Sequence, residues 1–331
     1  MKILVTGGLG YIGSHTVLEL LSNNHEVCII DNLQNSKYTT KITLDLFKSY
    51  SFFECDLVDE SKLVKVFKAF MPDIVIHFAG LKNVLESFEK PLLYYKTNLL
   101  SSLNLFNVMK KFNCKHLVFS SSATIYGNSN ITPITEEGII NPENAYGRSK
   151  WFIEEMIFDW VRSYKFSAII LRYFNPIGSH LSGMIGDDPV KPSNSLIQNI
   201  SNVYLKKSKV LKIYGDDYNT CDGTPLRDFV HVSDLARAHL KASNYIINTE
   251  NHLKILNIGT GKGTTVLQLI KTFEKSANIK IPYMFVERRK GDIGVSIANI
   301  DKAQEILSWN SKYSLNDMCK STVKWLNKKK N

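Results

Sequence analysis

Short β-branched and aliphatic runs alternate with longer stretches whose apolar residues return every three or four positions, and this alternation fills the first half of the chain. The runs are Lys2–Thr6, Glu26–Ile30, Phe52–Cys55, Asp73–Phe78, His116–Ser121 and Ser167–Tyr173. Between them, Ser14–Asn23, Ser61–Phe70, Leu92–Phe112 and Ala145–Tyr164 read as helices. In the last of these, Ile153, Met156, Ile157, Trp160, Val161 and Tyr164 fall at helical spacing, a stripe that suits a core or a subunit interface. Strands and helices alternating in this way predict an α/β fold, a doubly wound parallel sheet covered by helices on both faces.

From Asn175 the pattern gives way to a polar segment rich in Gly, Pro and Asp that runs to about Asp228, with a helical piece near Leu196–Leu205 and a strand near Val210–Tyr214. This predicts a second, smaller lobe. Phe229–Tyr245 then reads as helix and Lys254–Ile258 as buried strand, so the chain is expected to return to the first sheet before finishing that lobe. The expected division is residues 1–174 with 229–258 for the first domain, and 175–228 with 259–331 for a C-terminal substrate-binding lobe.

Composition narrows the class. A chain of 331 residues, 44% hydrophobic and 22% charged, suits a globular protein of one large or two modest domains. No apolar run reaches the roughly 20 residues that span a bilayer, and Met1-Lys2 leads into ILVTGG without a signal-peptide pattern; a cytoplasmic protein away from membranes is expected. The formal net charge of +10 comes from dispersed lysines whose only run is Lys328–Lys330. That pattern describes a solvated basic surface with some pull on phosphate-bearing small molecules, and no nucleic-acid site. Cys28, Cys55, Cys114, Cys221 and Cys319 are scattered, without a C-x-x-C pair or a nearby His cluster. They indicate neither a disulfide framework nor a metal site.

Candidate chemistry begins at the first turn. ILVTGGLGYIGSH sets Gly7, Gly10 and Gly13 between a strand and a helix, where glycines let the backbone approach a pyrophosphate lying at the positive helix N-terminus. The second strand ends at Asp31, whose carboxylate can accept from both hydroxyls of an adenosine ribose and repels a 2′-phosphate. A Rossmann-type site preferring NAD to NADP follows. Asp56, in FFECDL, can reach the adenine edge or serve as an ordinary helix cap. HFAG, Phe78 to Gly80, ends the fourth strand where a cofactor can pass close to the backbone.

The fifth strand runs into FSSSATIYG and leaves Ser120, Ser121 and Ser122 at the carboxyl end of the sheet, where doubly wound folds bind ligands. Further on, AYGRSK places Tyr146 and Lys150 one helical turn apart on one face. Most such pairs are structural. In this order, behind a glycine turn and an acidic strand end, they read as a device in which Lys⁺ and a positive nicotinamide favour the Tyr146 phenolate, which takes a proton from an alcohol.

TGGLGYIGSH, DNL, HFAGLK, FSSSATIYG, AYGRSK, LRYFNPIG, RDFVHVSDLA and GDIG, spread essentially end to end, resemble the extended short-chain dehydrogenase/reductase superfamily, in particular its members that epimerise nucleotide sugars. The resemblance implies an isomerase that inverts C4 of UDP-glucose and UDP-galactose with tightly held NAD. It implies Tyr146 as base, Lys150 tuning it and holding the nicotinamide ribose, and Ser122 bonding the sugar 4-hydroxyl. It further implies that Tyr11, Ile12, Asn32, Leu57, Ala79, Lys82, Thr97 and Phe174 line the cofactor site. By the same match Lys82, Asn175, Asn194, Ser195, Leu196, Arg227, Arg289 and Asp292 bind the UDP-sugar, and a homodimer forms through Leu92–Phe112 and Ala145–Tyr164.

Three positions depart from the family pattern. Ser195 and Gln198 stand in KPSNSLIQ where Pro-Asn-Asn-Leu-Met-Pro is usual, and Thr97, followed by Asn98, replaces an asparagine. Ser296, in GDIGVSIA, occupies a place where the family carries either tyrosine or a small residue. Its size predicts room for a 2-N-acetyl group, hence UDP-N-acetylglucosamine and UDP-N-acetylgalactosamine as further substrates. A nucleotide-sugar 4,6-dehydratase is the alternative, disfavoured because Ala123-Thr124 replace the acids such enzymes carry. A non-catalytic NAD(H)-sensing protein is the other, disfavoured because Tyr146 and Lys150 are both kept.

Overall fold

The computed structural model describes residues 1–129, 131–191, 195–289 and 292–330. In chain order the first half runs β1 (Lys2–Thr6), α1 (Tyr11–Ser22), β2 (Glu26–Asp31), α2 (Tyr38–Asp45), β3 (Ser51–Glu54), α3 (Glu60–Phe70), β4 (Ile74–His77), α4 (Val84–Glu89), α5 (Pro91–Lys111), β5 (His116–Ser122), α6 (Ala145–Tyr164) and β6 (Ser167–Tyr173). It continues through β7 (Asn175–Ile177), α7 (Leu196–Tyr204), β8 (Leu211–Tyr214), β9 (Leu226–His231), α8 (Val232–Ile246), β10 (Leu253–Ile258), β11 (Gly263–Thr265), α9 (Val266–Ala277), β12 (Tyr283–Val286), β13 (Val295–Ser296), α10 (Asp301–Leu307) and α11 (Leu315–Lys330).

Seven parallel strands form one sheet in the order β10-β6-β5-β4-β1-β2-β3. The apolar runs are continuous because successive residues of each strand enter different cores. Ile3, Val5, Ile29, Ile74, Ile76, Val118, Ile169 and Leu171 pack with α1 and α8, while Leu4, Cys28, Ile30, Val75, Leu117, Phe119, Ala168 and Ile170 pack with α3, α5 and α6. The strand order reverses between β1 and β4, which pair in parallel. There, beyond the carboxyl ends of the strands, a doubly wound sheet leaves a crevice for a ligand.

A third core joins α7, β8, α9 and α11 beside that crevice. It is fastened to the sheet by β9, which pairs with β7, β11 and β13. Phe229–His231, expected within a helix, is instead the end of β9. The β-branched and aromatic alternation of LRDFVH carries the strand to His231, whose side chain then accepts from the backbone N–H of Ser233 and caps α8.

The stripe on α6 is core: Ile153, Ile157, Trp160 and Val161 are buried, and only Tyr164 swings out, under the ammonium of Lys110. A different apolar surface remains open on the same pair of helices, with Leu92, Leu93 and Leu103 on α5 and Phe152 and Phe158 on α6. No described helix is long and apolar enough to cross a membrane.

Candidate active site

Gly7 follows β1 with φ +66, a conformation that favours glycine, and a Cβ there would lie 2.9 Å from the backbone nitrogen of Ala79. A Cβ on Gly13 would strike the carbonyl of Gly7. These contacts draw the turn tight against β4 and leave α1 beginning without a side-chain cap and without an acid in its first turn. Its N–H groups therefore face the crevice with no protein anion before them, as a pyrophosphate requires.

Asp31 ends β2 on the same rim. Its carboxylate accepts from the N–H groups of Leu9 and Leu33 at 3.1 and 2.9 Å and from Ser36 Oγ at 3.1 Å. Burial raises its pKa and these bonds oppose the rise. Asp56 is not the helix cap: its oxygens accept from Asn32 Nδ2 and from the N–H of Val58 at the cavity wall, while Asp59 supplies the cap of α3. Lys82 lies 5.9 Å from the ring of Tyr11, whose hydroxyl donates to the carbonyl of Gly178 at 2.6 Å and ties the glycine turn to the segment after β7.

Deeper in, Tyr146 and Lys150 stand on the first turns of α6, where Asn144 caps the helix by accepting from the N–H of Gly147. Ser122 Oγ faces the Tyr146 phenol and lowers its pKa, and Lys150 donates from Nζ to the carbonyl of Ser120 at 2.8 Å. The expected phenolate depends on the positive nicotinamide of bound NAD as well as on Lys150. In the protein itself burial is the larger influence on Tyr146 and raises its pKa, with the Ser122 hydroxyl the opposing one. Burial also weakens Lys150, pushing it down to about 8. A buried phenolate is poorly solvated and a buried ammonium equally so, so each loses charge more readily than at the surface.

All of the described residues expected at the site line one cavity of about 1130 Å³. Tyr146, Ser122, Thr97 and Phe174 share its lining with the glycine turn and Asp31, and with Arg227, Arg289, Asp292, Leu196 and Ser296. Asn194 lies outside the described residues. At the departures, Asn98 is buried and clamps Leu81, accepting from its N–H at 2.7 Å and donating to its carbonyl at 3.1 Å, which leaves Thr97 facing the cavity. Ser195 Oγ accepts from the N–H of Gln198 and caps α7, and Gln198 Nε2 donates to Asp187 Oδ2 at 2.8 Å.

Several lining residues were not singled out in the sequence. Tyr214 carries the guanidinium of Arg289 3.7 Å above its ring, and the alternation of LKIY, which puts Lys212 and Tyr214 on one face, is the signal that could have found it. Asp187 and Asp188 come from a loop with no signature beyond Gly, Asp and Pro.

The parallel sheet, the glycine turn and the Tyr-x-x-x-Lys helix define an NAD-binding α/β fold of the extended short-chain dehydrogenase/reductase type. A family model described as GDP-mannose 4,6 dehydratase matches residues 4–322. A UDP-glucose 4-epimerase of Cyamopsis tetragonoloba is 44% identical over 332 residues, covering 98% of this chain and 95% of the relative. The crystal structure of UDP-glucose 4-epimerase from Bifidobacterium longum in complex with NAD⁺ and UDP superposes with a TM-score of 0.95 at 41% identity, covering 99% of this chain and 98% of that one. The UDP-Glc/GlcNAc 4-epimerase of Campylobacter jejuni superposes with a TM-score of 0.86 at 35% identity, covering 99% of each chain. The chain belongs to the UDP-glucose 4-epimerase family.

Proposed function

We propose that this protein is an NAD-dependent UDP-hexose 4-epimerase that interconverts UDP-glucose and UDP-galactose, and also UDP-N-acetylglucosamine and UDP-N-acetylgalactosamine. The observation that carries the reading is that one cavity is lined together by Ser122 and Tyr146, by the glycine turn with Asp31, and by Arg227 and Arg289. The division of labour follows: residues 1–174 with 229–258 hold the cofactor, and 175–228 with 259–331 hold the UDP-sugar.

The glycine turn, Asp31, Asp56 and Lys150 would hold NAD, which would supply a reversible hydride acceptor for C4. The protein's own part is proton transfer and positioning. Tyr146, as phenolate, takes the proton from O4 while Ser122 holds that oxygen, and a 4-keto sugar results. Arg227 and Arg289 grip the diphosphate, since guanidinium pairs with phosphate oxygens bidentately and keeps its charge. Anchored there, the keto sugar turns about its link to UDP and presents its other face. Tyr146 then returns the proton to O4, and the configuration at C4 is inverted without net redox change.

A 4,6-dehydratase needs an acid and a base to eliminate water across C5 and C6. The wall after β5 offers Ala123 and Thr124, and the Thr124 hydroxyl lies 2.9 Å from Ser122 Oγ. A silent NAD(H) sensor would have no use for the buried Tyr146 and Lys150. Leu92, Leu93 and Leu103 with Phe152 and Phe158 support a homodimer in which α5 and α6 of two copies form a four-helix contact, and a cytoplasmic location agrees with the reduced state of the cysteines.

The test is product analysis by NMR with UDP-glucose and UDP-N-acetylglucosamine in parallel. UDP-galactose and UDP-N-acetylgalactosamine are the expected products. Loss of the sugar 6-hydroxyl, or no turnover with NAD bound, would overturn the reading.

A further inference from the structure

One face of α6 carries a charged group that the reaction as described does not use. Tyr146, Lys150 and Glu154 are spaced four residues apart, so they stand one above another along the helix. All three are buried, none more than 8% exposed. The face packs against the end of β5, whose three consecutive serines each meet one of them. Ser122 faces the Tyr146 phenol, the Ser120 carbonyl accepts from Lys150 at 2.8 Å, and the Ser121 hydroxyl donates to the Glu154 carboxylate.

Behind Glu154 stands Arg172 of β6, 2% exposed. Its Nε donates to both carboxylate oxygens at 3.2 and 3.1 Å and its Nη2 to Oε2 at 2.6 Å. Its Nη1 donates to Tyr126 Oη at 3.0 Å and to the carbonyl of Glu136 at 2.9 Å. A buried ion pair is an expensive way to fill a core, since apolar side chains of the same volume stabilise at least as well. This one is fully hydrogen-bonded and adjoins the catalytic turn, which points to a role for the charge itself.

Lys150 lies among Tyr146 and Glu154 of its own helix, His77 on β4, and the Phe119 ring and serine end of β5, with Arg172 and Tyr173 on the adjoining β6. His77 is neutral, because burial holds its imidazole down to about 3, and burial raises the phenols of Tyr146 and Tyr173. Arg172 carries the same sign as Lys150 and lies beyond the carboxylate. Among these groups Glu154 is the anion, and its field opposes the burial that weakens the ammonium.

We propose that Glu154 is the counter-charge of the active-site ammonium, a positioning residue that acts on epimerisation through Lys150, with Arg172 and Ser121 fixing its carboxylate. The proposal rests on the epimerase reading of the site. Without Glu154, Lys150 sheds its proton within the neutral range and its field no longer favours the phenolate of Tyr146.

The experiment is the pH profile of kcat/KM for UDP-glucose between pH 6 and 10 on NAD-bound wild type, E154Q and E154D, with bound NAD and thermal midpoint measured on each. E154Q keeps the shape and loses the charge, and its alkaline limb is expected to fall by about one pH unit. E154D keeps the charge a methylene further away and is expected to move the limb by less. A profile of E154Q that is lowered by one factor at every pH, with the limb in place, would show a merely structural residue and overturn the proposal. Should E154Q not fold, an unmoved limb in E154D has the same force. Wild-type protein inactive at every pH would instead sink the epimerase reading.

Discussion

Arg227 donates from Nη2 to Asp292 Oδ1 across 2.9 Å, and both side chains face the same cavity. Neither group stands out in solvent: their side chains are 15% and 27% exposed. Asp228, the adjacent acid, takes no part, being buried beneath the N–H groups of Thr260, Gly261 and Ala298. Arg227 Nη1 is held as well, by the carbonyls of Leu226 and Gly294 at 3.0 and 3.3 Å. The guanidinium is thus oriented before any diphosphate arrives, which lowers the cost of ordering it on binding.

Replacing Arg227 with alanine removes that oriented fork and leaves Asp292 facing the diphosphate without its partner. The KM for UDP-glucose is expected to rise roughly 10- to 100-fold, about 1.4–2.7 kcal/mol, with kcat changed far less. Arg227→Lys should recover only part of the loss, since an ammonium keeps the charge but not the bidentate geometry. Steady-state kinetics and a UDP titration read both effects; an unchanged KM in the alanine variant removes Arg227 from the substrate site.

Tyr146→Phe deletes the proton acceptor and leaves the ring's packing intact. Turnover should fall about 10²- to 10⁴-fold while NAD stays bound. With NAD bound, the wild-type profile should also show an acid limb, because the phenol must lose its proton to act and the positive nicotinamide draws its pKa down against the burial that raises it. Activity therefore rises with pH through that limb, and the residual activity of the phenylalanine variant should lack it. The readouts are product formation and the NAD released on denaturing the protein.

How far this was legible in the sequence depended on whether the signal was local. Strands buried on both faces announce themselves as apolar runs, and β1, β6 and α6 were read to the residue. The helices α2 and α4 were not seen: YTTKITLD is rich in β-branched residues and buries only Leu44, and VLESFE is under two turns long. Within the site, the glycine turn, Asp31 and the Tyr146–Lys150 spacing are contiguous motifs. Arg227 with Asp292 and Glu154 with Arg172 lie 65 and 18 residues apart. The pairing of β13 with β9 and the packing of α6 against β5 and β6 bring them together, and no spacing rule anticipates it.

Ser296 illustrates what the pairing of β13 with β9 does for specificity. It sits on β13 directly beside Arg227 on β9, is 7% exposed and lines the cavity. Ser296→Tyr places a phenol ring where a small hydroxymethyl stood, at the end of the cavity that holds the arginines. Turnover of UDP-N-acetylglucosamine is expected to drop at least about tenfold relative to UDP-glucose, because a pocket rejects excess volume far better than it rewards a small gain in contact. Competition kinetics with both sugars, followed by NMR, decides it; equal effects on the two sugars would place Ser296 away from the 2-substituent.

The four most deeply buried histidines give the last prediction. His15, His77, His231 and His239 are at most 2% exposed, and burial pushes them down to about 3, 3, 4 and 4 respectively. An unfolded chain titrates these groups near 6.5, so between that value and about 4 the unfolded state binds the more protons. Stability from these groups is therefore complete above about pH 6.5 and is lost as the pH falls toward 4. Protonation is the harder to absorb at His15 and His239, whose Nε2 atoms have no hydrogen-bond partner among the described residues. Asp31, Asp187 and Asp228 act with the opposite sign, since burial raises each of them and they gain stability on acidification. The histidines are separated from them by substitution: the thermal midpoint of the wild type should fall several degrees between pH 7 and 5, and His239→Phe, which keeps a ring against Phe78, should flatten that slope. A His239→Phe slope equal to the wild type would assign the acid sensitivity to other groups.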